Sequence, residues 1–182
     1  MQSIVLWGDY MSLVEYDRNL AVDYAKTWAL SNNPKYKDYS SWGGDCTNFI
    51  SQCIHAGNIP FDNSGGDILH KWYWYSDSKR TPSWTSAEAF GNYILNNNNN
   101  KLKNYGIYAT VVNYNELEIG DLVQLMYSGR AYHTMIITDV LFKKGKFVLD
   151  YLICQHTINL KDYPLSEKIG EMRYIKIHGY NS

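Results

Sequence analysis

The chain has 182 residues, enough for one ordinary domain, and splitting it would leave halves in which a core becomes marginal. A 45% hydrophobic and 19% charged composition excludes a disordered tail or a fibrous rod. Seventeen Lys and Arg against 18 Asp and Glu give a net charge of -1, so no global field is available to hold nucleic acid or an anionic bilayer.

In chain order, residues 1–16 read as an N-terminal extension of a single domain over 1–182. They contain no basic start followed by an apolar run, so no secretory signal is visible, and no stretch is apolar enough to span a membrane. From Asp17 to Leu30, the apolar positions Leu20, Ala21, Tyr24, Ala25, Trp28 and Ala29 step by three and four, which predicts an amphipathic helix ended by Asn32, Asn33 and Pro34. A second helix is predicted after Gly43 and Gly44, with Asp45 as its cap and Phe49, Ile50, Cys53 and Ile54 on its apolar stripe, ending at Gly57. Aromatic residues make up 15% of the chain, and the stretch Ile68–Tyr93, with Trp72, Trp74 and Trp84, reads as an aromatic wall lining a groove. Asn96–Asn100 reads as an exposed helix end or loop tip. From Thr110 the pattern turns to strands at Val111–Val112, Asp121–Tyr127, Tyr132–Phe142, Lys146–His156 and Arg173–Ile177. Helices first and hairpin-linked strands second predict an α+β domain with an antiparallel sheet.

Three Cys, at 46, 53 and 154, cannot all pair, so a disulfide scaffold is excluded. Cys46 falls in the first turn of the second helix, where backbone amides and the macrodipole favour a thiolate and an oxyanion, and a lowered thiol pKa is expected provided a His can share the proton. Cys53 lies on the apolar stripe and reads as core. A nucleophilic thiol needs a base. With Lys144 and Gly145 at the centre of the turn between two strands, His133 faces His156, and one ring could orient the other. In that register Asp150 faces Asp139, which makes it the weaker orienter. Cys46, His133, Cys154 and His156 are also conceivable zinc ligands, but no short paired spacing supports a metal site.

Three blocks carry a resemblance: Asp23–Trp28 with Asn33–Pro34 and Gly43–Gln52, then Gly120–Gln124, then His133–Thr138 with His156–Thr157. Together they resemble the putative amidase domain family of bacteria, itself similar to NlpC-type and CHAP hydrolases of the papain-like group. The resemblance implies a helix bearing nucleophile Cys46 packed on a sheet bearing base His133 and orienting residue His156. Asp45, Trp42 and Gln124 are the oxyanion or substrate-binding candidates, and no cofactor or metal is implied. The expected substrates are peptide amides of cell-wall peptidoglycan, reached after lysis or export. The partner set then holds no nucleic acid and no membrane, with an immunity or targeting partner left open. Two alternatives stand beside this reading. One is a non-catalytic glycan-binding module that stacks sugars on Trp72, Trp74 and Trp84, and the other is a toxin that deamidates or acylates a host protein.

Overall fold

The computed structural model describes residues 12–99, 106–143 and 147–182. In chain order it forms β1 (Leu13–Glu15), α1 (Arg18–Trp28), α2 (Cys46–Ala56), β2 (Trp74–Ser76), β3 (Lys79–Arg80), α3 (Pro82–Thr85), α4 (Ala87–Asn99), β4 (Gly106–Val111), β5 (Leu122–Tyr127), β6 (Arg130–Lys143), β7 (Phe147–Gln155), β8 (Leu160–Pro164) and β9 (Glu171–Asn181). Seven strands make one antiparallel sheet in the order β1-β9-β5-β6-β7-β8, with β4 also on β9, and β2 and β3 form a separate pair. This is the predicted α+β architecture, with helices first and most of the sheet after them.

The Asp17 carboxylate caps α1 by accepting the Leu20 N–H at 3.0 Å. The stripe Ala21, Val22 and Ala25 is buried, and its small side chains let α1 lie close along α2. In α2 every residue from Cys46 to Ile54 is buried, so this helix runs through the core rather than over it. Gly57 ends it at a point where a Cβ would stand 2.4 Å from the Tyr16 ring, which leaves no room for any other residue.

Alternation along the strands divides the interior in two. Leu122, Ile136, Cys154, Ile175 and Ile177 face the helices, packed with Phe49, Ile50, Cys53, Ile54 and Phe90. Val123, Leu125, Met135, Ile137, Tyr151 and Ile153 form a second cluster on the other face, closed by Leu117 and Leu165.

Two expectations change here. Residues 13–16 are part of the domain, because β1 pairs with β9 and buried Tyr16 donates its hydroxyl to the Gly120 carbonyl at 3.0 Å. Residues 1–11 and the expected Lys144–Gly145 turn lie outside the described residues. The aromatic wall is largely core: Trp72 and Trp84 are fully buried, 4.8 Å apart between ring centroids, and their indole N–H groups donate to Ser51 and Asn48 of α2. Rings held this way offer no face on which a sugar could stack. The Asn run largely extends α4, to Asn99. Among the described residues no helix is long and apolar enough to cross a membrane.

Candidate active site

Cys46 opens α2 behind Gly43 and Gly44, whose φ values of 107° and 131° lie where side chains are strained. The turn is then held by the residue after it. Asp45 occupies the cap position, but its carboxylate makes no capping bond. Instead it accepts the Tyr39 N–H at 2.9 Å and the Asn48 amide at 2.8 Å, and its other oxygen bonds His156 Nδ1 at 2.7 Å. Only 3% of Asp45 is exposed. The carboxylate is spent on holding the turn, so neither the capping role nor direct substrate contact fits.

The Cys46 thiol is buried, 3.7 Å from the Thr47 hydroxyl, which in turn lies 3.3 Å from the Thr134 hydroxyl on β6. Burial pushes its pKa above the ordinary thiol value, opposed by hydrogen bonding from the Thr47 hydroxyl and the Thr134 and Thr47 amides, with the nearby Asp45 charge adding to the rise. The expected depression is therefore absent from the resting protein, because desolvation outweighs the helix terminus.

The β6–β7 register also differs from expectation. Ile136 pairs with Cys154, Ile137 with Ile153, Asp139 with Leu152 and Leu141 with Asp150, with irregularities at two points. The ladder is shifted by at least one residue from the simple hairpin that would set His133 opposite His156 and Asp150 opposite Asp139. Because side chains alternate, a one-residue shift changes faces. His133, paired with Leu125 on β5, follows Met135 and Ile137 onto the sheet face away from the helices, and Gln155 follows Ile153. Gln155 is the neighbouring side chain that acts on the His133 ring, raising its pKa against the effect of burial. His156 turns the other way, onto the helix side, where its ring stacks on Phe49 with centroids 4.0 Å apart.

His133 is 8% exposed, and its Nε2 is the one buried side-chain nitrogen or oxygen among the described residues without a hydrogen-bond partner. Burial lowers its pKa below the ordinary imidazole value, Gln155 opposes that, and the Lys168 charge adds to the lowering. Gln155 is itself held rigidly: its amide donates to the carbonyls of Thr157 and Ile158, and its oxygen accepts from Lys168 Nζ at 2.8 Å.

The remaining candidates separate clearly. Asp150 accepts from the Ser166 hydroxyl at 2.6 Å and lies well along the hairpin from His133. Gln124 is fully buried, donating to the Ala87 carbonyl and the Thr134 hydroxyl and accepting from Arg173, so it is an interior brace rather than a substrate contact. Trp42 is 72% exposed on the turn preceding Cys46 and is free to meet a ligand. Much of the motif after Cys46 is structural: Asn48 ties α2 to the Lys37 carbonyl and to Trp84, and Gln52 accepts the Tyr24 hydroxyl that Asn33 also bonds. Cys53 and Cys154 are core thiols, and among the described residues no three His, Cys, Asp or Glu are grouped to hold a metal. The residues that sequence reasoning passed over are Gln155, Thr134 and Lys168. Gln155 is next to His156, and allowance for one bulge would have found it.

Thirty-six per cent of residues are identical over 126 positions to the uncharacterized protein YhbB of Bacillus subtilis (strain 168), covering 68% of this chain and 37% of that protein. The uncharacterized protein YjcM of the same organism is 28% identical over 176 residues, covering 90% of this chain and 37% of its own. The chain thus spans a little over a third of the length of these curated relatives. No solved structure matches it. The family model described as a putative amidase domain matches residues 15–180, which takes in the Cys46 turn, His133, His156 and all of the described sheet but its outermost residues in β1 and β9: the chain belongs to the putative amidase domain family.

Proposed function

We propose that the protein is a papain-like cysteine amidase or peptidase that cleaves amide bonds in peptidoglycan peptides. The observation that carries this reading is the unpartnered, buried Nε2 of His133, on the residue preceding the Thr134 against which Cys46 packs. A buried nitrogen without a partner costs about 1–3 kcal/mol, a cost tolerated where the atom serves chemistry. The family and the position of Cys46 at a helix N-terminus support the same assignment.

In the mechanism, the His133 ring swings from its resting side of β6 past Thr134 to the sulfur, and neutral His133 takes the Cys46 proton as Sγ adds to the substrate carbonyl carbon. The oxyanion that forms is stabilised by amides of the first turn of α2. The imidazolium then gives its proton to the departing amine, leaving an acyl-thioester. His133 next deprotonates a water that attacks the thioester, and the released thiolate recovers the proton with loss of the acid. Gln155, not His156, orients the base, since it shares the His133 side of the sheet and is fixed by Lys168 and two carbonyls.

Mass spectrometry of purified peptidoglycan after digestion tests the proposal. The parent is expected to release fragments each carrying one added water at an amide bond, and Cys46→Ser to release none. Equal release by folded Cys46→Ser would overturn the reading. The burial of Trp72 and Trp84 counts against the glycan-binding alternative.

A further inference from the structure

His156 is absorbed by none of these steps, yet it is only 2% exposed and bonded at both ring nitrogens. Nε2 lies 2.9 Å from the Trp28 carbonyl at the end of α1, and since a carbonyl can only accept, Nε2 carries a proton. Nδ1 lies 2.7 Å from Asp45 Oδ2, so a second proton is shared at that contact. The ring therefore ties the end of α1 to the residue immediately before Cys46.

The turn that follows His156 makes the same connection through the backbone. The Asp45 N–H donates to Thr157 Oγ1 at 2.8 Å, and a Cβ on Gly44 would stand 3.1 Å from that oxygen. Thr157 and Ile158 both hold positive φ, 60° and 65°, a conformation that strains a β-branched residue and persists where surrounding contacts enforce it. Strain in the Thr157 turn, one buried ring bond and the bond from the Asp45 N–H converge on the turn ahead of the thiol, while the other ring bond anchors His156 to α1.

We propose that Asp45 and His156 are a positioning pair for the nucleophile: they fix the turn that presents Cys46 and offset the Asp45 charge beside the sulfur. This rests on Cys46 being the nucleophile. The titratable groups around the pair are the Cys46 thiol, Asp38 on the preceding loop, which feels the His156 ring, and His133 on β6 next to Thr134; Lys26 of α1 is engaged 3.5 Å from Asp162. Asp45 is the neighbour whose charge raises the thiol, and the proton shared with His156 Nδ1 at 2.7 Å from Asp45 Oδ2 is placed to counter that charge.

That opposition gives a test a merely structural brace would not pass. The rate of Cys46 alkylation by iodoacetamide, followed by intact mass against pH, reports the thiol's ionisation. His156→Gln leaves Asp45 uncompensated and is expected to move the alkylation midpoint to higher pH by about half a unit to one unit. Asp45→Asn is expected to move it to lower pH while lowering the peptidoglycan turnover about 10- to 100-fold at nearly unchanged KM. The double variant is expected near the parent's midpoint, with turnover no worse than the worse single. Midpoints unchanged in folded Asp45→Asn, or shifted the same way in both singles, overturn the pair. Should His156→Gln not fold, Asp45→Asn and Thr157→Val decide the matter: Thr157→Val is expected to lower turnover with the midpoint unmoved, and full turnover in both variants overturns the proposal. Failure of the nucleophile assignment shows separately, as hydrolysis that survives Cys46→Ser whatever the alkylation profile.

Discussion

The Arg18 guanidinium donates to the fully buried Asp121 carboxylate at 2.6 Å, joining the first turn of α1 to the residue that leads into β5. The same carboxylate accepts the Ile177 and Glu118 N–H groups, and Arg18 also reaches the Ile119 and Ile177 carbonyls. Burial still raises the Asp121 pKa above the ordinary carboxylate value despite Arg18. Removing one partner strands the other, so Asp121→Ala is expected to cost about 3–5 kcal/mol in urea unfolding. A cost below about 1 kcal/mol would show that the pair contributes little to holding α1 on the sheet.

Gln155→Leu removes the neighbour of His133 while keeping the bulk of the side chain. Turnover on peptidoglycan is expected to fall about 10- to 100-fold, with KM less affected, because an orienting group sets tautomer and geometry without reacting. Asp150→Asn is the comparison and is expected to stay within a few-fold of the parent, since its partner is Ser166. Greater damage from Asp150→Asn in folded protein would reassign the orienter.

For the pH profile, burial holds the Cys46 thiol up and the His133 ring down, so the resting pair is neutral thiol with neutral imidazole. Activity is then expected to be flat between about pH 6.5 and 9, falling below as His133 takes a proton and above as the thiol loses the one that the leaving amine needs. An acidic limb centred above about pH 7 would contradict the lowered His133.

Stability follows the same sign. His133 and His55 both have lowered pKa values in the fold, chiefly through burial, so below the ordinary imidazole value of about 6.5 the unfolded chain binds protons that the native state excludes. The stabilisation is complete above that pH and is lost as pH falls toward the folded values. The midpoint of urea unfolding is expected to drop between about pH 7.5 and 5.5, and His133→Gln to flatten the drop. An unchanged slope in that variant would remove His133 as its source.

Gly91 in α4 lies where a Cβ would stand 2.3 Å from Arg173 Nη2 and 2.7 Å from Gln124 Oε1. Gly91→Ala therefore collides with the Gln124–Arg173 brace behind Thr134, and a loss of about 1–3 kcal/mol is expected in place of the usual gain from Ala in a helix. A more stable variant would show that Arg173 moves aside freely.

Local pattern in the sequence was enough for α1, α2 and the main strands, because amphipathic spacing records which side chains must leave water. It was also enough to separate Cys53, on the apolar stripe, from Cys46 behind two glycines. Tertiary structure decided what pattern cannot express. Irregularities in the β6–β7 ladder set its register, and with a period of two that places Gln155 beside His133 and sends His156 to Phe49 and Asp45. Burial, a sum over every neighbouring element, turned Trp72 and Trp84 from a groove into core. It also raised the thiol that the helix terminus alone would have lowered, because desolvation depends on what surrounds the sulfur and not on the residues that precede it.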